Sequence, residues 1–285
     1  MFERLSRSWA LVKASASVLR QDKELLVFPL LSTVSLTLVV GCVALPIVGV
    51  GGFARRASGP DGDPTPLAYV VAFLFYFSQY LVIFFFNTAL VGAAMIRLSG
   101  GDPTVSDGMR IATSKLVVLV GYALIAASVG MVLRAIQGRV GLIGKIVVGL
   151  LGAGWTIATF LVVPVLATRD VGPVDAIKES ASLLKQTWGE NLIGQAGLGV
   201  AFGLIFLGVA ACAFVLIAAA IATGSVAAIV TAALVAGLAI GLTGLVQSAL
   251  SGIYSAELYR YATEGEGTTG FETEALKLAF APKSK

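Results

Sequence analysis

The chain has 285 residues, of which 57% are hydrophobic and only 13% charged. A soluble domain carries roughly 25% charged residues, so charge cannot cover this surface, whereas lipid tolerates an apolar exterior. A net charge of +4 dispersed between apolar runs excludes a nucleic-acid patch, and the absence of histidine removes the commonest general base and metal ligand.

In chain order, Phe2, Leu5, Trp9, Val12, Ala16 and Leu19 are spaced by threes and fours, which predicts an amphipathic helix over 2–20. Arg4, Arg7 and Lys13 lie off that face, so the helix is expected in the headgroup layer with Trp9 at the interface. Five runs then lack Asp, Glu, Lys and Arg: 25–54, 64–96, 116–133, 146–168 and 191–256. A crossing needs about 20 apolar residues, so the first four runs hold one span each. The last is long enough for two, and Thr223-Gly224-Ser225 is the natural turn. Six spans are therefore predicted at about 25–50, 67–96, 116–134, 144–167, 192–222 and 226–256. A soluble helical bundle is the weaker alternative, because these runs carry no polar stripe. Val39-Val-Gly-Cys42 resembles a lipoprotein cleavage box, but the apolar run continues through Val50 and favours a span.

Fifteen of the twenty Lys and Arg residues fall on one set of alternate segments, which places both termini in the cytoplasm of a multi-pass cell-membrane protein. The exception is the 134–145 loop, with Arg134, Arg139 and Lys145 on the outer side after a short third run. Residues 1–264 read as one membrane domain and 265–285 as a cytoplasmic tail.

A second amphipathic pattern, Val174, Ile177, Ala181, Leu184 and Trp188, precedes the fifth span, with Lys178 and Lys185 off its face. Val12–Gln21 aligns without gaps to Ile177–Gln186, with six of ten positions identical. A weaker copy, Asp107–Leu116, precedes the third span. The fold class expected is all-α: a polytopic bundle of three direct repeats, each an interfacial helix followed by a helical hairpin. Direct repeats do not supply the inside–outside exchange of inverted ones.

The span interiors hold no ionisable side chain, which argues against proton coupling or voltage sensing. Asn87, Gln195 and Gln247 are the intramembrane polar candidates, for interhelical bonding or for a substrate. Gly199-Val-Ala-Phe-Gly203 and Gly237-Leu-Ala-Ile-Gly241 are GxxxG patterns that read as close packing of the last two spans. Pro164 predicts a local bend. Cys42 and Cys212 read as buried small hydrophobes without a disulfide. No phosphate loop, nucleophile elbow or zinc spacing occurs, so neither enzyme nor cofactor is expected.

The opening Phe2-Glu-Arg-Leu-Ser-Arg-Ser-Trp9, then Asp22-Lys-Glu-Leu-Leu-Val-Phe-Pro29, Tyr254–Glu266, Phe271 and Ala279–Lys283 together resemble a family of uncharacterised prokaryotic six-helix membrane proteins. That family is distantly similar to the membrane domain attached to some glycerophosphodiester phosphodiesterases. The resemblance implies a membrane bundle and no catalytic residue. A non-enzymatic scaffold or lipid-associated protein is the first reading, with membrane lipids and an unidentified protein as partners. A permease or channel-like component for a lipid or small neutral solute is the alternative. A polar cavity reaching the middle of the bundle separates the two.

Overall fold

The computed structural model describes residues 15–49, 65–188 and 193–264, with side chains from 44 to 49, 186 to 188 and 193 to 201 left aside. Among the described residues every regular element is helical. In chain order they are α1 (15–21), a 3-10 turn Lys23–Leu26, α2 (Val27–Gly49), α3 (Pro66–Leu98), α4 (Val105–Ser114) and α5 (Leu116–Gln137). Then follow α6 (Leu142–Ala158), α7 (Val162–Thr168), α8 (Pro173–Trp188), α9 (Ile193–Ala222) and α10 (Val226–Glu264).

Among the described residues six stretches are long and apolar enough to cross a membrane: Lys23–Val43, Pro66–Leu98, Leu116–Gln137, Leu142–Thr168, Phe202–Ala222 and Val226–Glu264. The third is longer than its charge-free run, because α5 continues past Arg134 to Gln137. Arg134 does not end the helix. Its guanidinium lies 5.3 Å from the centre of the Tyr76 ring, where a cation–π contact holds the charge against α3. The turn between α9 and α10 is the expected one, with Gly224 at φ +67°. Only glycine takes that conformation without strain, so Gly224→Ala should cost about 1 kcal/mol, measurable as a lowered unfolding midpoint in detergent.

The core lies at one end of the bundle. The C-terminal halves of α3 and α10 meet α7 there, burying Leu90, Val91, Ala94, Val162, Val165, Leu166, Ile253 and Leu258. Large apolar residues elsewhere face outward, among them Leu142, Ile143, Leu150, Phe214 and Leu234. Cys42 and Cys212 also point outward, which corrects the expectation that they are buried. In a lipid-facing bundle an apolar run has no polar face to mark its exterior, so periodicity cannot separate core from periphery.

Among the described residues the tightest approaches between helices are made at Gly92, Gly108 and Gly252. A methyl group at Gly92 would lie 2.9 Å from Ile111 Cδ1, one at Gly108 only 2.6 Å from the Ala89 carbonyl oxygen, and one at Gly252 would run into Leu90. The GxxxG glycines do not serve this purpose. Gly203, Gly237 and Gly241 have open space around them, so α9 and α10 pack on one another through other residues. The side chain position of Gly199 lies outside the described residues.

Span four is broken. Thr159-Phe160-Leu161 interrupts the helix between α6 and α7. Pro164 causes this, because it has no N–H to donate to the Phe160 carbonyl and its ring crowds that oxygen. In the first turn of α7 the missing donor costs nothing. The break exposes backbone groups that α8 covers: Ser180 Oγ donates to Ala158 O at 2.7 Å and accepts from Leu161 N at 3.0 Å. Ser180 is fully buried.

Among the described residues each short helix buries part of one face against protein, although Val174 at the start of α8 is exposed. Gly108 and Ala112 of α4, and Ala176, Ser180 and Leu184 of α8, are buried, as are Ser15, Val18 and Leu19 around α1. Periodicity identifies one apolar face per helix but not what covers it, and here the span ends cover these buried positions. Lys115, at φ −98° and ψ 5°, separates α4 from α5.

Candidate functional site: a polar cavity between the spans

The arginine end of the bundle is tied together by charge. Arg97 bonds Asp102 at 3.0 Å and lies 3.5 Å from the buried Asp22 carboxylate. Arg169 donates to Tyr259 Oη at 3.1 Å and pairs with Glu179 at 3.0 Å. Arg260 donates to the Leu98 carbonyl, which fastens the end of α10 to that of α3. Lys115 bonds Asp170 and the Arg169 carbonyl, joining α5 to the segment after α7. Glu24 accepts from Val105 N at 3.2 Å, adding to the reciprocal cap between Thr104 and Asp107. The Thr104 hydroxyl and backbone N–H hold the Asp107 carboxyl below its ordinary range, and Lys115 does the same for Asp170. A lowered carboxyl stabilises the fold above its unfolded value, about 3.9, and that contribution is lost as pH falls through the folded value. Acid below about pH 4 should therefore loosen this end first, measurable as amide exchange at Val105–Ser114 before the spans respond.

Above this seal the bundle opens into a cavity of about 530 Å³. Each wall can be read as a helical face. From α10 come Gly244, Gln247, Ser248, Ser251, Gly252 and Ser255, steps of three and four that form one stripe. From α3 come Tyr80, Phe84, Asn87 and Val91, with the same spacing. Tyr122 and Ala126 of α5 close a third side, and Trp155, Thr156, Thr159, Phe160 and Val163 around the span-four break form the fourth. The rings of Phe84 and Tyr122 lie 4.4 Å apart and pin α3 to α5. Small residues on α10 leave the volume, and aromatic residues on the other helices shape it.

The lining is uncharged but rich in hydrogen-bonding groups. Thr156 and Thr159 spend their hydroxyls on the carbonyls of Gly152 and Trp155, and Ser255 on that of Gly252. Asn87 and Gln247 bring amides, and Ser248 and Ser251 hydroxyls, that face the cavity. Unpaired amides in an apolar setting cost free energy until something bonds them. Tyr254, whose buried hydroxyl has no partner among the described residues, packs against Phe160 of the wall with ring centres 6.3 Å apart. Along α3 the cavity begins at Val91, about 9 Å from Arg97, and extends to Tyr80, near the middle of the span. On the arginine side the packed Leu90, Ala94, Leu166 and Leu258 close it.

The structure thus brings together two of the polar residues singled out from sequence, Asn87 and Gln247. The side chain of Gln195 lies outside the described residues, as does that of Trp188. Lys178 and Lys185 are exposed on α8, with Lys178 3.2 Å from Asp175. Arg4, Arg7, Trp9 and Lys13 lie outside the described residues, as does the tail 265–285. Sequence reasoning missed Tyr80, Tyr122, Thr156, Ser248 and Ser251. The stripe on α10 was a readable signal, since its small and polar residues share one face. The other walls come from helices far away in sequence. No curated protein matches the chain. Residues 67–271, well over half of its length, match the family of unknown function DUF6159, and the protein is a member of that family.

Proposed function

We propose that this protein binds an uncharged molecule inside the membrane and serves as a permease-like component for a lipid or small neutral solute. The single observation that carries the reading is the cavity between α3, α5, α7 and α10, lined by amides and hydroxyls and without Asp, Glu, Lys or Arg. A closed apolar core would have favoured a scaffold, and a cavity of this size and lining favours a ligand. Amides, hydroxyls and aromatic rings without a carboxylate or an ammonium group suit binding of a neutral ligand by hydrogen bonds.

The test is native mass spectrometry of protein extracted into nanodiscs from its own membranes. A neutral adduct on the wild type that is lost in Asn87→Leu/Gln247→Leu is the expected result. Identical spectra carrying only annular phospholipid would overturn the reading.

We further infer that the chain is three direct copies of one unit in the cell membrane, with both termini cytoplasmic. Supporting this, Ser15, Ala112 and Ser180 occupy matching positions in the three short helices and are all fully buried. Arg97, Arg169 and Arg260 follow the second span of each unit. The short helix of one unit lies on the second span of the unit before it: Gly108 against Ala89, and Ser180 against Ala158. For the orientation, the fifteen-to-five bias of Lys and Arg is the support. Ser284→Cys should resist an impermeant thiol reagent in intact cells of a Cys42→Ala/Cys212→Ala background, and labelling from outside would reverse the topology.

A further inference from the structure

We propose that the cavity takes a glycerolipid with an uncharged, hydroxyl-bearing headgroup, of the diacylglycerol class, which enters sideways from the bilayer between α6 and α10. The proposal rests on the intramembrane binding reading above and names its ligand class and route.

The first argument is packing. The wall residues Trp155 and Thr156 belong to α6, whose main neighbours are α5 and α8. Neither α3 nor α10 packs along it. On its outer face Ile146, Val147, Leu150 and Leu151 are exposed, suited to hydrocarbon. On one side of the gap Ser251 is exposed although its helix neighbours Ala249, Leu250 and Ile253 are buried, and on the other side Thr156 is exposed as well. The cavity is thus reached through its side wall, while its arginine end is sealed by the packed ends of α3, α7 and α10.

The second argument is electrostatic. A phosphate moved into this volume would meet no cation among the lining residues, and an unpaired ion in an apolar setting is heavily penalised. Arg97, Arg169 and Arg260 lie beyond the seal and are engaged with Asp22 and Asp102, Glu179 and Tyr259, and Leu98 and Glu264. Asn87, Gln247, Ser248 and Ser251 both donate and accept, which matches a free hydroxyl flanked by ester carbonyls. Phe84, Trp155 and Phe160 give the upper acyl chains an apolar wall, and the rest of the chains remain in lipid through the gap.

The experiment uses Trp155 as reporter. The chain has three tryptophans, so Trp9→Phe/Trp188→Phe leaves one inside the cavity. The protein is placed in phosphatidylcholine nanodiscs and titrated with doxyl-labelled diacylglycerol, doxyl-labelled phosphatidylcholine, or sorbitol from water. Saturable quenching by the diacylglycerol at a few mole per cent, at least about tenfold stronger than by the phosphatidylcholine, is expected. Thr156→Trp/Trp155→Phe moves the reporter into the gap, and its bulk should abolish saturation while leaving the exposed surface to fold normally. Equal quenching by both lipids would overturn the headgroup class. A Trp155 response to sorbitol with none to diacylglycerol would overturn the lipid and its route but keep the binding cavity. Silence to all three would remove the cavity reading as well. Gel filtration of each variant separates loss of binding from loss of fold.

Discussion

Replacing Ser180 by valine should lower stability by about 2–5 kcal/mol, the largest single effect expected outside the cavity. Valine has nearly the shape of threonine but no hydrogen-bonding group. It would leave the Ala158 carbonyl and the Leu161 N–H both buried without the bonds they now make, at 2.7 and 3.0 Å. Each unsatisfied backbone group costs about 1–3 kcal/mol, and lipid offers no water to replace the loss. The measurement is the unfolding midpoint in detergent, with Ser106→Ala on an exposed position as the control, expected within about 0.5 kcal/mol of wild type. If Ser180→Val unfolds with the control, Ser180 does not clasp the break. Because Thr159, Phe160 and Val163 flank that break and line the cavity, the same variant should also change ligand retention. A purely peripheral serine would leave it untouched.

Gly108→Ala should cost about 1–3 kcal/mol, although alanine normally strengthens a helix by roughly 1 kcal/mol over glycine. The sign reverses because the added methyl would sit 2.6 Å from the Ala89 carbonyl oxygen, which is backbone and cannot rotate away, and would also strike the ring of Phe28. Phe28 is 1% exposed and Ala89 fully buried, so neither has room to retreat. The comparison is Gly237→Ala, where nothing lies within 4 Å and the ordinary helix gain should appear. A stabilised Gly108→Ala would mean that α4 is not seated on α3 as described.

These two residues show where the sequence is legible and where it stops being so. Span positions follow from charge-free runs because a single charge in hydrocarbon is costly wherever it falls, and that constraint is local to the chain. The break at Thr223–Ser225 was readable for the same reason: glycine at a positive φ is a local requirement. Gly108 was not distinguishable among 33 glycines, since its importance lies in an oxygen 19 residues away. The GxxxG pairs were a false lead because the pattern states that a close approach is permitted, and Gly237 and Gly241 have no neighbour that takes it. Ser180 is one of the six identical positions in the aligned repeat, opposite Ser15, and nothing local marks it further. Its function depends on Pro164 breaking a helix in the preceding span. Half of the cavity was visible, as Asn87 and Gln247 are conspicuous amides in apolar runs. Thr156, Ser248 and Ser251 are inconspicuous alone and acquire meaning only from convergence.

The clasp at the span-four break has a consequence for biosynthesis. Ser180 is made 22 residues after Ala158, the carbonyl it satisfies. At about 5–20 residues per second, the ribosome delivers it roughly 1–4 s after that carbonyl. During this interval the fourth span has a break that its own sequence cannot repair, because Pro164 forbids the continuous helix. The nascent chain therefore has a defined window in which the insertion machinery, or water at the bilayer surface, must shelter Ala158 and Leu161. Stalling translation between these points should leave a span accessible to reagents that the finished protein excludes.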